Sequence, residues 1–370
     1  NDISTDQRVH KMCLYLSQKG MDVLLVGRKR SFSLPLEERS YRCKRMRLLF
    51  CKGPLFYAEY NFRLFFFLLF RRADLLVSND LDTLLANFLV RALKRSKLVY
   101  DSHEYFTGVP ELQHNSFARR TWIAIERLTV PRVKRMMTVS TSIAKMYEEL
   151  YKREVFVVRN VPSIQFQNAP LSFEEKTNLR AELGLPIDKK LIILQGAGIN
   201  VQRGAEEAVL TMQHLDNYCL LIIGGGDVYK DLKKQATNLS LQDKIIFKDR
   251  MPFELLRKHT RACDLGLSLD KDLSVNYRFS LPNKIFDYIH SGIPVLASSL
   301  VEVKKMIGEF DVGDFIENHD PMHIAQKIEA MFANEDRMNR WKHNTIKAAE
   351  RLCWENEIQI LEQVYKDYAE

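Results

Sequence analysis

The sequence predicts an α/β protein built from two doubly wound domains that face a central cleft. Short β-rich runs alternate with amphipathic stretches of helical length, which is typical of βαβ units. Runs such as DLLVS and LLIIG are apolar throughout, which indicates strands buried on both faces of a parallel sheet. This series occurs twice within 370 residues, a length that suits two domains.

The predicted strands form two sets of six. The first set is 22–26, 47–51, 74–78, 97–101, 136–140 and 155–158, and the second is 191–195, 219–223, 244–247, 264–269, 294–298 and 312–316. Between the sets, NVPSIQFQNAP breaks the pattern with two prolines and polar residues. We therefore expect a first domain at 1–162, with its first strand missing, and a second domain at 163–350. The remaining residues, 351–370, are predicted to form a C-terminal helix that packs back on the first domain.

Composition excludes several classes of protein. A hydrophobic content of 46% is ordinary for a globular protein and argues against disorder. The six cysteines form no CxxC pair, so neither a zinc knuckle nor a redox motif is indicated. No secretory signal and no apolar run long enough to cross a bilayer are visible, which predicts a cytoplasmic protein.

The net charge of +8 is concentrated in the first domain, in the region 28–72. Its first part is RKRSFSLPLEERSYRCKRMR, and further Lys and Arg follow among Phe and Tyr. Such a region can meet anionic lipid, nucleic acid or a phosphorylated substrate, or it can be a solvated basic face. No recognised nucleic-acid motif accompanies the charge, so nucleic-acid binding is not expected. An anionic membrane surface is the partner that this region favours.

The segment SLPNKIFDYIHSGIPVLAS carries a first candidate site. Ser280 is predicted to cap a helix in which Lys284 and Asp287, three residues apart, share one face. A cation beside the open amides of a helix start suits phosphate, and a carboxylate one turn later suits ribose hydroxyls. The alternative is a surface ion pair.

A glycine-rich loop carries a second candidate site. The strand LIILQ leads into GAGINVQRG and then into a helix. Gly196 and Gly198 let the backbone approach an anion, and Arg203 can pair with a diphosphate through two hydrogen bonds. The loop lacks the GxxxxGK[ST] pattern of a Walker loop, and the alternative is a tight strand–helix turn.

A second glycine run, LIIGGGDVY, resembles the start of a dinucleotide motif. Gly224 and Gly226 fit GxGxxG, but Tyr229 occupies the third glycine position, so NAD binding is disfavoured. The loop at Gly225 and Gly226 can still let a nucleotide lie against the backbone.

Polar residues follow a predicted strand of the first domain in KLVYDSHEYF. Asp101, His103 and Glu104 lie where ligands of parallel sheets bind, and they can hydrogen-bond sugar hydroxyls or transfer a proton. The alternative is a structural role at the end of the strand.

Metal ligands and cofactors are not predicted. Asp80–Asp82 and Asp270–Asp272 each match the DxD pattern of metal–diphosphate sites, but so short a pattern arises often by chance. Asp80 or Asp82 is also a suitable helix cap. No HExxH and no Cys/His cluster is present.

The order and spacing of these segments resemble a known family. TDQRVHK, LVYDSHE, VVRNVP, QRG, LIIGGGD and LPNKIFDYIHSGIPVLAS together resemble the retaining GT-B glycosyltransferases of family 4, of the bacterial surface-polysaccharide type. The resemblance extends over nearly the whole chain. It implies two Rossmann-like domains, with the nucleotide bound mainly to the second, the acceptor mainly to the first, and the active site between them.

The resemblance also implies roles for individual residues. The groups that would bind the donor diphosphate are Arg203, Lys284, Gly196, Gly198 and Asn283, with Gly225 and Gly226 as the nucleotide loop. Asp287 takes the place of the second Glu of a Glu–seven residues–Glu motif and would bind ribose. The first Glu of that motif would fall on Phe279, which is not acidic.

The first domain would supply the remaining groups. His103, with Asp101 and Glu104, would be catalytic and contact the donor sugar or the leaving phosphate. Asp6 and Arg8 would face the acceptor.

The implied activity is a metal-independent transfer of a hexose-type sugar, with retention, from a nucleoside-diphosphate-sugar to a hydroxyl of a glycan or lipid-linked acceptor. A UDP-sugar is favoured over a GDP-sugar, and the enzyme would be cytoplasmic or peripheral on the cytoplasmic face of the membrane. Two alternatives stay open: an isomerase similar to the sugar-nucleotide 2-epimerases, and a non-catalytic nucleotide-sugar-binding subunit.

Overall fold

The computed structural model describes residues 3–4, 6–30, 33, 35–113 and 115–368. The chain divides into two compact units, one of residues 1–160 and 357–370 and the other of residues 161–356. Both units are α/β, and all strand pairs among the described residues are parallel. The predicted class of two doubly wound domains is confirmed. Residues 31, 32 and 34 of the basic region and 369–370 of the predicted C-terminal helix lie outside the described residues.

The first unit contains a parallel pair of strands and a four-stranded sheet. The pair is β1 (Leu24–Lys29) and β2 (Arg42–Arg47), and the sheet is β3 (Leu75–Asn79), β4 (Lys97–Ser102), β5 (Arg135–Thr138) and β6 (Phe156–Val157), in that order. Its helices are α1 (Gln7–Gln18), α2 (Gly53–Leu69), α3 (Leu81–Lys94), α4 (Pro110–Gln113), α5 (Ser116–Thr129) and α6 (Thr141–Tyr151).

One predicted strand of this unit was placed wrongly. The prediction of a strand at 47–51 followed the apolar letters RLLFC, whereas β2 is the more basic Arg42–Arg47. β2 pairs residue by residue with β1, and its Met46 is buried. Leu49 is 80% exposed, so the apolarity that suggested a buried strand lies at the surface instead.

The second unit has one six-stranded sheet in the order β12-β11-β10-β7-β8-β9. Its strands are β7 (Lys190–Gly196), β8 (Tyr218–Gly224), β9 (Ile245–Asp249), β10 (Leu265–Ser268), β11 (Val295–Ser298) and β12 (Gly313–Ile316). Along the chain, β8 and β9 are added in turn beside β7, whereas β11 and β12 are added in turn on the opposite side, beside β10. The carboxyl ends of the neighbours β7 and β10 therefore form the crevice where ligands of doubly wound sheets bind.

Nine helices of the second unit are described: α7 (Phe173–Leu183), α8 (Ala205–Thr211), α9 (Tyr229–Asn238), α10 (Phe253–Ala262), α11 (Val275–Phe279), α12 (Asn283–His290), α13 (Val301–Phe310), α14 (Pro321–Ala333) and α15 (Glu335–Arg351). Ile192 and Leu194 of β7 belong to one apolar cluster, and Leu191 and Ile193 belong to another. Alternate side chains of the strand thus enter two cores, which is why its sequence is apolar throughout.

The start of α12 differs from the prediction. Ser280 does not cap α12, because it ends α11, where its hydroxyl donates to the carbonyl of Tyr277 over 2.9 Å. α12 begins only at Asn283, after Pro282. A proline disfavours helical backbone at the residue before it, which here is Leu281. The helix is therefore interrupted between α11 and α12.

The end of the chain returns to the first unit. α16 (Trp354–Tyr365) starts in the second unit, and from Glu357 onward it belongs to the first. Arg159 donates through its backbone N–H and its guanidinium to Glu357, at 2.7 and 3.2 Å, and Tyr365 is buried. Among the helices of the described residues, none combines the length and apolarity needed to cross a bilayer.

Candidate functional site

The first unit places a buried ion pair at the carboxyl end of β4. Asp101 is fully buried and accepts hydrogen bonds from Nε and Nη2 of Arg8, at 3.0 and 2.6 Å. Arg8 also donates through Nη1 to the carbonyl of Val158 at 2.6 Å. Asp6 caps α1 by accepting from the N–H of Val9 at 3.1 Å. These contacts fix the start of α1 against the ends of β4 and β6.

His103 lies between two carboxylates. Its Nε2 is 3.3 Å from Oδ2 of Asp101, and its Nδ1 is 3.3 Å from Oδ2 of Asp80. Its backbone N–H also donates to Oδ1 of Asp80 at 2.8 Å. The structure thus brings Arg8, Asp101 and His103 into one network, and the half-buried Glu104 is the next residue in the chain.

The charges of this network are coupled. Burial alone would lower the pKa of His103, but Asp80 and Asp101 outweigh it and raise that pKa to about 9. Burial alone would raise the pKa of Asp101, but Arg8 and His103 hold it well below its usual range. At neutral pH His103 is therefore a cation that donates hydrogen bonds and has no lone pair for general-base catalysis.

Asp80 has a different role from the predicted one. It precedes α3, yet its side chain forms no cap hydrogen bond with the helix. Its carboxylate holds His103 instead, and its backbone N–H donates to the carbonyl of Asp101 at 2.8 Å. Its φ of 62° lies in the region that non-glycine residues adopt only where the surroundings impose it. Asp80 therefore joins the carboxyl ends of β3 and β4 through His103.

In the second unit two cations converge on one buried carboxylate. Asp270 lies two residues after the end of β10 and is 1% exposed. Nζ of Lys284 is 3.0 Å from its Oδ2, and Nη1 of Arg203 is 3.4 Å from its Oδ1. The guanidinium of Arg203 also stands 5.1 Å from the ring centre of Tyr277. The two predicted diphosphate ligands are thus neighbours, at the crevice between β7 and β10.

Asp287 is held on the same edge of the sheet. It accepts from Nε2 of Gln195, near the end of β7, at 3.0 Å. The Oε1 of Gln195 in turn accepts from the hydroxyl of Thr260 at 2.7 Å. Asn283 is exposed at the start of α12. Lys284 and Asp287 therefore point to partners on two neighbouring strand ends, rather than to each other as a surface ion pair.

The glycines at the end of β8 and just after it are explained by close backbone contact. A Cβ on Gly224, where φ is +143°, would lie 1.9 Å from the carbonyl oxygen of Gly196. A Cβ on Gly226 would lie 2.1 Å from the carbonyl oxygen of Ile199. The N–H of Ile199 donates to the carbonyl of Gly225 at 2.9 Å. The loops after β7 and β8 are therefore packed backbone to backbone.

Gly198 has no such packing requirement, because a Cβ there would meet only ordinary contacts. Next to it, Arg250 donates to the carbonyl of Ala197 at 2.5 Å and to that of Gly225 at 3.4 Å. This guanidinium bridges the two loops and adds a third cation to the edge of the sheet.

Four residues of the two clusters escaped the sequence analysis or were given another role: Asp80, Gln195, Arg250 and Asp270. The available signal was position, since a polar residue that directly ends or follows an apolar strand lies at the ligand-binding edge. Among the described residues, no group of three or more His, Cys, Asp or Glu side chains is arranged to hold a metal ion.

Family models match both units of the chain. Residues 6–161 match the model "Glycosyltransferase Family 4", and residues 175–348 match "Glycosyl transferases group 1". Both models describe glycosyltransferases, and together they match most of the chain.

Individual proteins show the same likeness. The chain is similar to a D-inositol 3-phosphate glycosyltransferase of Xylanimonas cellulosilytica, with 24% identity over 201 residues. That match covers 53% of this chain and 46% of the relative, so the chain spans about half the length of this curated relative.

Solved structures share the fold. Sucrose-phosphate synthase from Thermosynechococcus elongatus has a TM-score of 0.78 at 16% identity, covering 97% of this chain and 92% of the other. Anabaena HepE in complex with UDP-glucose has a TM-score of 0.72 at 17% identity, covering 97% and 95%.

Proposed function

We propose that this protein is a retaining glycosyltransferase that moves a hexose-type sugar from a nucleoside-diphosphate-sugar to a hydroxyl of a glycan or lipid-linked acceptor. The family matches support the transferase class. The donor, the stereochemistry and the acceptor class are proposed from the site and from the resemblance of the sequence.

The observation that carries the proposal is the convergence of Arg203 and Lys284 on Asp270. The cations come from two separate segments and meet at the crevice where doubly wound sheets bind ligands. The three charged groups together carry a net positive charge. A diphosphate offers oxygens that can replace the single carboxylate as partner of both cations. We assign Gly196, Gly198 and Asn283 to the same diphosphate.

The nucleoside is proposed to lie farther along the same edge of the sheet. Asp287, oriented by Gln195, offers carboxylate oxygens to the ribose hydroxyls. The loop at Gly225 and Gly226 offers a backbone surface to the nucleotide. UDP is favoured over GDP, and the solved complex of HepE, a protein of the same fold, holds UDP-glucose.

The proposed chemistry needs no protein nucleophile. The bond between the anomeric carbon and the diphosphate oxygen breaks as the acceptor oxygen attacks from the same face, which retains the configuration. The acceptor proton passes to the leaving phosphate oxygen. Arg203 and Lys284 stabilise the charge that develops on the diphosphate, a task that fixed cations perform without a metal ion.

The first unit is proposed to supply the remaining contacts. His103, held as a cation by Asp80 and Asp101, donates a hydrogen bond to the donor sugar or its leaving phosphate. Glu104 and Asp101 belong to the same proposed catalytic group. Asp6 and Arg8 are the proposed acceptor side, with Arg8 acting through Asp101, to which it is bound.

We further propose that the enzyme works in the cytoplasm or peripherally at the cytoplasmic face of an anionic membrane, through the basic region 28–72. Nucleic acid is not a proposed partner.

The test is a comparison of Arg203→Ala and Lys284→Ala with matched controls. Each variant should lower the rate of sugar transfer from the donor about 100- to 1000-fold, because one fixed cation at the leaving group is lost. The controls are Arg351→Ala and Lys258→Ala, which remove cations of exposed ion pairs. Turnover is measured with UDP- and GDP-sugars that a thermal-shift screen shows to bind.

Near-normal rates in folded Arg203 and Lys284 variants would contradict the assignment of the diphosphate site. Incubation with donor alone separates the other activities. An epimerised nucleotide-sugar would indicate an isomerase, and binding without turnover on any acceptor would indicate a binding subunit.

A further inference from the structure

Helix α2 carries apolar residues on every side, with Glu59, Asn61 and Arg63 as its charged or amide side chains, although only one side is buried. Phe56, Tyr60 and Leu64 enter the core of the first unit. A helix that is apolar all round is normally enclosed by protein or lipid. In α2 the opposite side is exposed, so a surface of unusual composition remains uncovered.

The outward face of α2 is defined by Leu55, Phe62, Phe66 and Phe70, the last being the residue after the helix. Phe62 is 65% exposed and Phe70 is 81% exposed. The ring centres of Phe62 and Phe66 are 4.7 Å apart, and those of Phe66 and Phe70 are 6.5 Å apart. The aromatic rings therefore form one continuous ridge rather than scattered exposed side chains.

The loop before α2 extends this apolar surface. Glu59 accepts hydrogen bonds from the backbone N–H groups of Leu49 and Phe50, all between 2.9 and 3.0 Å. These bonds fix two further exposed apolar side chains beside the helix. Glu59 is also paired with Arg63 at 2.8 Å. The one carboxylate of α2 is thus engaged within the protein, and its charge is balanced.

The ridge is bordered by cations. Lys52 precedes α2 and Arg71 and Arg72 follow it, all three exposed. The guanidinium of Arg71 stands 4.5 Å from the ring centre of Phe67. Aromatic rings flanked by Lys and Arg match the interface of a bilayer, where rings enter the headgroup layer and cations meet anionic lipid.

We propose that the outward face of α2 inserts into the interfacial layer of an anionic lipid bilayer, with Lys52, Arg71 and Arg72 on the headgroups. This inference extends the membrane contact of the proposed function from a basic region to one inserting element. Charge complementarity favours lipid over a second copy of the chain, because two copies joined by this face would bring the same cations together.

The test is flotation with vesicles of phosphatidylcholine alone or with added phosphatidylglycerol. The full chain should float with the anionic vesicles and be released by high salt, because salt screens the headgroup attraction. The triple variant Phe62→Ser/Phe66→Ser/Phe70→Ser should lower the partition coefficient at least about tenfold. Phe173→Ser, which changes an 86% exposed Phe of the second unit, should leave it unchanged.

A second measurement reports insertion directly. In Phe66→Trp, the added fluorescence should shift to the blue and be quenched by brominated acyl chains when anionic vesicles are present. The thermal shift produced by UDP should be the same in the triple variant and the wild type, so a failed donor site and a failed membrane face are distinguished.

Three results would overturn the inference. One is unchanged flotation of the triple variant, and another is equal binding to vesicles without phosphatidylglycerol. The third is a dimer that light scattering detects for the wild type but not for the triple variant. The outward face of α2 would then be covered by a second copy of the chain.

Discussion

The two charged clusters of the molecule are built differently. In the first unit two cations, Arg8 and His103, face two carboxylates, Asp80 and Asp101, and the charges balance. In the second unit Arg203 and Lys284 share the single carboxylate of Asp270. A balanced and buried network fixes geometry, whereas two cations on one carboxylate can accept an anionic ligand. The first cluster is therefore neutral and buried, whereas the second has the net positive charge that suits an anionic ligand.

The largest expected effect on stability comes from removing one carboxylate of the balanced cluster in the first unit. Asp101→Ala leaves the guanidinium of Arg8 buried without its carboxylate, which should lower the free energy of unfolding by about 3–5 kcal/mol. Urea unfolding measures the loss. The matched control is Asp22→Ala, which breaks an exposed pair with Arg42 and should cost about 0–1 kcal/mol. Equal losses in both variants would remove the distinction between the clusters.

The pH dependence of stability tests the same cluster without removing its ion pair. The pKa of His103 is about 9 in the folded protein, above its ordinary value of 6.5. Its proton therefore stabilises the fold fully below pH ~6.5, and this contribution, on the order of 3 kcal/mol, is lost as the pH rises through ~9. Asp80→Asn removes one of the two charges and should lower the pKa of His103 by about 1–2.

NMR titration of the His103 imidazole measures both values. A midpoint near 6.5 in the wild type, or an unchanged midpoint in Asp80→Asn, would contradict the assigned contacts of His103.

Ligand binding should distinguish the second cluster from the first. At 100 times its dissociation constant, UDP should raise the free energy of unfolding by about 2.7 kcal/mol. Lys284→Ala should reduce this increment at the same UDP concentration, and Lys258→Ala should preserve it. Thermal shift and urea unfolding with and without UDP provide the measurement. A full increment in the Lys284 variant would mean that the cations on Asp270 do not contact the diphosphate.

The smallest effects separate packing from binding within the glycine loops. Gly226→Ala should cost about 1–3 kcal/mol of stability, because its Cβ would meet the carbonyl of Ile199 and the backbone must shift. Gly198→Ala should change stability by less than about 1 kcal/mol, since its Cβ has room. Urea unfolding compares the two variants. A larger loss at Gly198 would contradict the observed loop packing.

Much of the fold could be predicted because strand signals are local. All twelve predicted strands overlap observed ones, although the strand predicted at 47–51 shares only Arg47 with β2, and both domains were expected. The error at β2 arose because Leu49 and Phe50 are apolar residues that lie at the surface rather than in a core. The error at Ser280 arose because a plausible cap lies one residue before the dipeptide Leu281–Pro282, where the helix cannot continue.

The candidate site was predictable only in part. Arg203 and Lys284 are candidates on their local motifs and on the family resemblance, but their common partner, Asp270, is distant from Arg203 in the sequence and depends on sheet order. Asp80 shows the limit more clearly. Its position suggests a helix cap, and only the parallel pairing of β3 with β4 reveals that it reaches His103 instead.

The return of α16 to the first unit has a consequence for biosynthesis. A ribosome delivers residues 1–160 first, yet the buried Glu357 and Tyr365 that complete their packing emerge only after the whole second unit. The second unit can therefore finish folding while the first still lacks a structural helix. In this chain the half that is translated first is the half that is completed last.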